Sequence, residues 1–114
     1  MIEIKNLTFG YKKNKILFDS LSIQMPLGNI YGLLGKNGAG KTTLLKHIIG
    51  LLYPNKGECL IFGKLSRERL PDILNNMYLI PEEFQLPAIP MNEFTRLHAP
   101  FYPRFDFSLL ESYL

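Results

Sequence analysis

A stretch of nine residues, GKNGAGKTT from Gly35 to Thr43, restricts what this chain can fold into more than any other feature. Gly35, Gly40, Lys41 and Thr42 satisfy the spacing G-x-x-x-x-G-K-[ST] without a gap. Gly35, Gly38 and Gly40 let the backbone curl so that successive N–H groups point inward at an anion, where side chains would obstruct the approach. Such a loop needs a strand to fix its entry and a helix whose N-terminal partial positive charge reinforces it. Both patterns are present. Ile30 to Leu34 is a nearly unbroken apolar run and predicts a central strand covered on both faces. Leu44, Leu45, Ile48, Ile49 and Leu52 recur at helical spacing until Gly50 and Pro54 stop the helix, which assigns Lys46 and His47 to its polar side. Lys41 is then the point charge for β- and γ-phosphates, and the Thr42 hydroxyl is a candidate Mg²⁺ ligand. Several charge-assisted bonds of about 1.5 to 3 kcal/mol each are available to a polyphosphate. The dinucleotide fingerprint G-x-G-x-x-G, suggested by Gly32 and Gly35, fails on spacing.

Around the loop, alternation at Ile2, Ile4 and Leu7 to Phe9, then from Ile16 to Met25, predicts two antiparallel strands. They are joined through Gly10 and a solvated turn that holds Lys12, Lys13 and Lys15. GECLIFG predicts a short strand between glycines, SRERLPDILNN a broken helix capped by Ser66, and Met77 to Ile80 a further buried strand. From Pro81 the chain becomes proline-rich, with helices expected over Met91 to His98 and Asp106 to Leu114. Ser108 and Glu111 have capping-box spacing, with Asp106 as the alternative start. The division expected is 1–80 and 81–114. SLLESYL reads as the middle of an amphipathic helix, so the natural protein is expected to continue.

With 114 residues, 46% of them hydrophobic and 12% aromatic, the chain forms at most one folded core. A formal charge of +3 is too small and too scattered for a nucleic-acid footprint. The single Cys59 sits in the apolar run CLIF, where a thiol behaves as a small hydrophobe, and a reducing compartment fits. No signal-like or membrane-spanning apolar stretch appears, so a cytoplasmic location is expected.

The order FGY, then LFDSLSIQMPLGNIYGLLGKNGAGKTTLLKHIIGLLYPNKGECLIFGK, then a strand running into PEE resembles the N-terminal half of the ATP-binding subunit of ABC transporters. The resemblance covers essentially the whole chain. It implies an α/β fold of the P-loop NTPase type: a partial ABC-type nucleotide-binding core with antiparallel N-terminal strands and the start of a helical subdomain. It also implies ATP and Mg²⁺ as cofactors, with Tyr11 stacking on the adenine and Gly35, Asn37, Gly38, Ala39, Gly40, Lys41, Thr42 and Thr43 holding the phosphates. The segment after Ile80 would carry the Q-loop. Where the family usually has glutamine, this chain has Glu82, a candidate Mg²⁺ and catalytic residue that adds negative charge near the phosphates. Gln85, three positions later, takes that role in the other register.

The acids of MYLIPEE do not form the family's late acidic strand end, because Pro81 interrupts the pattern. The LSGGQ signature and the late histidine switch have no match, and His47 and His98 are expected at the surface. Lys41 alone supplies charge stabilisation for hydrolysis, so this chain is expected to bind ATP and to hydrolyse it poorly by itself. Membrane-spanning subunits and a second copy of the ATPase subunit are the partners the resemblance implies. Self-association through unpaired strand edges is expected as well. Phe101, Tyr102, Phe105 and Phe107 are expected to pack inside the helical subdomain, the alternative being an exposed docking surface. The competing functions are a soluble ABC-type ATPase acting on ribosomes or nucleic acid, which the mild charge disfavours, and a non-hydrolysing nucleotide-binding fragment.

Overall fold

The computed structural model describes residues 1–36, 38–80 and 88–113. They divide into two compact units, Met1–Leu79 and Ile80–Leu114.

The first unit is built on β1 (Ile2–Phe9) and β2 (Phe18–Met25), which pair antiparallel as their alternation requires. The alternation slips by one residue in each strand, and each slip is a bulge. Ile4 pairs with Ile23 and Leu7 with Leu21, so β1 spends one residue more than β2 over that interval. Asn6 stands in the left-handed region there, at φ 49°. From Leu7↔Leu21 to Phe9↔Phe18 the extra residue lies in β2, where Ser20 has φ 52°. A bulge shifts the side-chain period by one, so Ile4, Leu7 and Phe9 all become buried despite their irregular spacing. The lysine-rich segment closes as a turn, with Lys15 N donating to Lys12 O at 3.0 Å.

β3 (Lys56–Ile61) pairs antiparallel with the other edge of β1, and the short β4 (Lys64–Leu65) pairs with β3, giving the order β2-β1-β3-β4. The helix α1 (Lys41–Ile48) and the single-turn α2 (Pro71–Leu74) complete the core. Ile4, Leu7 and Phe9 meet Leu44, Ile48, Cys59, Ile61 and Ile73 there. Burial pushes the Cys59 thiol pKa up, an effect its hydrogen bond with Ser66 offsets in part.

Gly50 stops α1 at φ 81°, where an added Cβ would lie 2.2 Å from Ser66 O. Ser66 does not cap the helix that follows. Its hydroxyl donates to His47 O at 2.8 Å, a carbonyl that also accepts from Gly50 N at 3.1 Å, and Arg69 Nη1 donates to Ile49 O at 3.1 Å, so both serve carbonyls at the C-terminal end of α1. The segment after Ser66 is a 3₁₀ turn, Ser66–Glu68, and then α2.

Two expected strands do not form. Residues 30–34 and 77–80 carry no strand pairing. Leu34 is 95% exposed and Ile80 75%. A strand covered on both faces exists only when neighbouring strands satisfy its backbone groups, and the four-stranded sheet of the described residues includes neither run. They border an open groove of about 430 Å³ lined by Leu27, Tyr31, Leu45, Ile49, Met77 and Leu79, among others.

In the second unit, α3 (Met91–His98) matches its expected bounds, and α4 spans Phe107–Tyr113. Asp106 starts α4 by accepting a hydrogen bond from Leu109 N at 3.0 Å, so the Ser108 and Glu111 capping box is not used. Phe101, Phe105 and Phe107 are exposed, against the expectation that they pack inside; Phe105 and Phe107 meet only edge to edge, at 4.9 Å. The sole described buried residue of this unit is Thr95, so its helices enclose too little volume to cover these rings. No helix among the described residues is long and apolar enough to cross a membrane.

Candidate functional site

α1 begins at Lys41, directly after the glycine-rich turn. Gly40 is its N-cap at φ 102°, with no side-chain cap bond and no acidic residue in the first turn. The N–H groups of that turn are therefore not occupied by a capping side chain. Gly38 also has positive φ, 86°. A Cβ on Gly40 would come within 2.9 Å of Phe18 Cζ and 3.0 Å of Leu17, and one on Gly35 would meet Ala39 Cβ at 3.3 Å. The loop is thus closed on itself and wedged against the start of β2. Ala39 N donates to Lys36 O at 3.0 Å, and Lys41 Nζ folds across the loop to donate to Gly35 O. Thr42, next in line, is exposed. This is the chemistry of an anion site: a cation, a helix N-terminus with free amides and a curled backbone, with no carboxylate in the first turn to oppose them.

Tyr11 lies just past the end of β1, 32 positions from Thr43, yet its phenol oxygen is 3.0 Å from Thr43 Oγ1. Its ring is 64% exposed and meets Phe9 edge-on, with centroids 5.0 Å apart. Gly35, Gly38, Ala39, Gly40, Lys41, Thr42, Thr43 and Tyr11 thus converge on one end of α1. Asn37, Glu82 and Gln85 lie outside the described residues.

His47 is not at the surface as its expected place on the polar side of α1 requires. It is 0% exposed, with Nδ1 2.8 Å from Thr43 O. The buried stripe of α1 is Thr43, Leu44, His47 and Ile48, while Leu45 is 41% exposed and faces the open groove. Leu44, His47 and Ile48 have i, i+3, i+4 spacing, which marks one helix face, so the signal was present in the sequence. Its polarity disguised it. His98 is exposed as expected, stacked on Phe94 at 4.1 Å.

The family model described as ABC transporter matches residues 18–96. The chain belongs to the ABC transporter family. Among its ABC relatives, the Haemophilus influenzae protein named intermembrane phospholipid transport system ATP-binding protein MlaF is 36% identical over 110 residues, covering 85% of this chain and 41% of that protein. The phosphonates import ATP-binding protein PhnC of Wolinella succinogenes is 37% identical over 90 residues, covering 75% and 33%. A solved structure of an ATP-binding subunit of an ABC transporter superposes with a TM-score of 0.78 at 30% identity, covering 93% of this chain and 44% of that one. The chain spans less than half the length of these ABC proteins.

Proposed function

We propose that this chain is part of an ABC transporter ATPase subunit and binds MgATP to power transport across a membrane. The observation that carries this reading is the closed loop from Gly35 to Thr43, with the Lys41 ammonium folded across it and the uncapped N-terminus of α1 behind it. Gly35 and the residues from Asn37 to Thr43 hold the phosphates, and Lys41 neutralises charge on the β- and γ-phosphates. Thr42 offers an exposed hydroxyl oxygen, the ligand type a hard cation such as Mg²⁺ takes, and Thr43 lies beside the α-phosphate. Tyr11 presents a half-free aromatic ring for the adenine. Glu82 or Gln85 serves as the Q-loop ligand.

The 114 residues on their own hydrolyse ATP slowly or not at all. Lys41 stabilises γ-phosphate charge, while the positioned water and its acidic orienter come from the remainder of an ABC ATPase and from a second copy. Membrane-spanning subunits are the other partners, with the protein peripheral at the cytoplasmic face. The exposure of Phe101, Phe105 and Phe107 supports their use as a docking surface for such a subunit. Exposed Ile30, Leu34 and Ile80 support self-association of the isolated chain.

Thermal unfolding with and without MgATP tests the binding reading. Nucleotide at about 100 times Kd adds about 2.7 kcal/mol, a rise of several degrees in melting temperature. Lys41→Ala removes that rise and lowers the nucleotide-free melt little, because Lys41 is outside the core and its hydrogen bond to Gly35 O is exposed. Equal protection of the variant and the unsubstituted chain contradicts the assigned role, and steady phosphate release by these residues alone contradicts the incompleteness.

A further inference from the structure

The nucleotide reading leaves one buried polar side chain without a role. His47 is wholly buried, on the face of α1 turned towards β1 and β2. A carbonyl oxygen only accepts, so the bond to Thr43 O puts a proton on Nδ1 and engages that nitrogen alone. Nε2 has no hydrogen-bond partner among the described residues. A leucine would fill most of the same space without an unpaired buried nitrogen, so the imidazole is a poor choice for stability alone.

Its neighbours supply a reason. Phe9 meets the His47 ring edge-on at 4.5 Å and 76°, and Phe18 does so at 6.4 Å and 78°. Phe9 in turn supports Tyr11 at 5.0 Å and 81°, while Phe18 Cζ fills the space that a side chain on Gly40 would take. Thr43 accepts from His47 through its carbonyl and bonds Tyr11 through its hydroxyl. His47 therefore meets Phe9 and Thr43, which both contact Tyr11, and Phe18, which packs at the start of α1. A flat ring packed at near right angles to Phe9 and Phe18 sets their orientation in a way a branched aliphatic side chain does not.

We propose that His47 is a positioning residue that, through Phe9 and Thr43, holds Tyr11 in place to stack on the base of a nucleotide whose phosphates lie in the 35–43 loop. This rests on the nucleotide reading above. It predicts a split between two ligands, because tripolyphosphate engages the loop and has no base.

MgATP and magnesium tripolyphosphate are titrated calorimetrically into the 114-residue chain and its His47→Leu and Phe9→Leu variants, with a thermal melt of each. His47→Leu is expected to weaken ATP binding about three- to tenfold, part of the worth of a base–aromatic stack, and to leave tripolyphosphate within about twofold. Its melting temperature stays level or rises. Phe9→Leu breaks the ring link to Tyr11 without touching the His47–Thr43 bond and is expected to show the same split; it decides alone if His47→Leu does not fold. Unchanged ATP affinity in a folded His47→Leu chain, or a parallel loss of both ligands, overturns the proposal. If the unsubstituted chain binds neither ligand, the nucleotide reading falls and takes this inference with it; if it binds both and the variants match it, this inference alone falls.

Discussion

Leu7 and Leu34 are the same residue in two apolar runs, yet Leu7 is 0% exposed and Leu34 95%. Leu7 lies in β1, whose backbone pairs with β2 on one edge and β3 on the other. Leu34 lies in a run at least as apolar, but no described strand runs beside it. Apolar character states a demand for burial, whereas a strand covered on both faces also requires neighbouring strands for its N–H and C=O groups. Among the described residues, strands lie on both edges of β1, and neither 30–34 nor 77–80 is part of the sheet. The loop from Gly35 to Thr43 stands between the two regions, its helix packed on the paired sheet and its preceding segment unpaired.

The widest contrast is Leu7→Ala against Leu34→Ala. The first removes a fully buried side chain and is expected to cost about 2 to 5 kcal/mol in urea unfolding, the second less than about 0.5 kcal/mol. Similar losses from both would mean that 30–34 is paired in solution, and the contrast would fail. Glycine substitution sharpens it at a smaller scale. Gly40→Ala meets both positive φ and the Phe18 and Leu17 side chains, and is expected to cost about 1 to 3 kcal/mol with loss of ATP protection. Gly28, next to the unpaired run, has φ 83° with nothing within 4 Å of an added Cβ. Its replacement by Ala is expected to cost only the local backbone term, about 1 kcal/mol, and to leave ATP protection unchanged.

The smallest effect concerns Cys59, whose burial in the paired region favours the thiol over the thiolate. Its folded pKa is above the ordinary 9.0, so the contribution is complete below that value. It is lost as pH rises through 9.0 towards the folded value, because the unfolded chain ionises first. The melting temperature of the unsubstituted chain is therefore expected to fall slightly more between pH 8 and pH 10 than that of Cys59→Val. Identical slopes would place the thiol in water.

Much of the site was legible before any coordinates. The loop spacing located Gly35 to Thr43, and its three glycines called for a curled backbone, which takes positive φ at Gly38 and Gly40 and not at Gly35; α1 starts where the motif requires. Local rules sufficed because these are local facts: which residue tolerates a left-handed backbone, and where a helix begins. The antiparallel pairing of β1 with β2 was legible for the same reason, since alternation and a short lysine-rich turn specify a hairpin. The bulges at Asn6 and Ser20 were not, although the irregular spacing of Ile4, Leu7 and Phe9 contains them. Ser66 was assigned to the helix after it, whereas it serves α1, which lies far earlier in the chain. The polarity of His47 argues for the surface, whereas its helical phase, three residues after Leu44, gives the burial observed.

By itself the sequence determined a curled glycine-rich loop, the helix that backs it and an antiparallel hairpin, because each depends on backbone freedoms and periodicities a few residues long. Only the tertiary structure decided that Tyr11 reaches Thr43, that His47 lies beneath them both, and that 30–34 and 77–80 do not join the sheet of the described residues. Those outcomes depend on what is brought alongside from distant parts of the chain, and hydrogen-bond partners and packing surfaces at such separations leave no trace in local pattern.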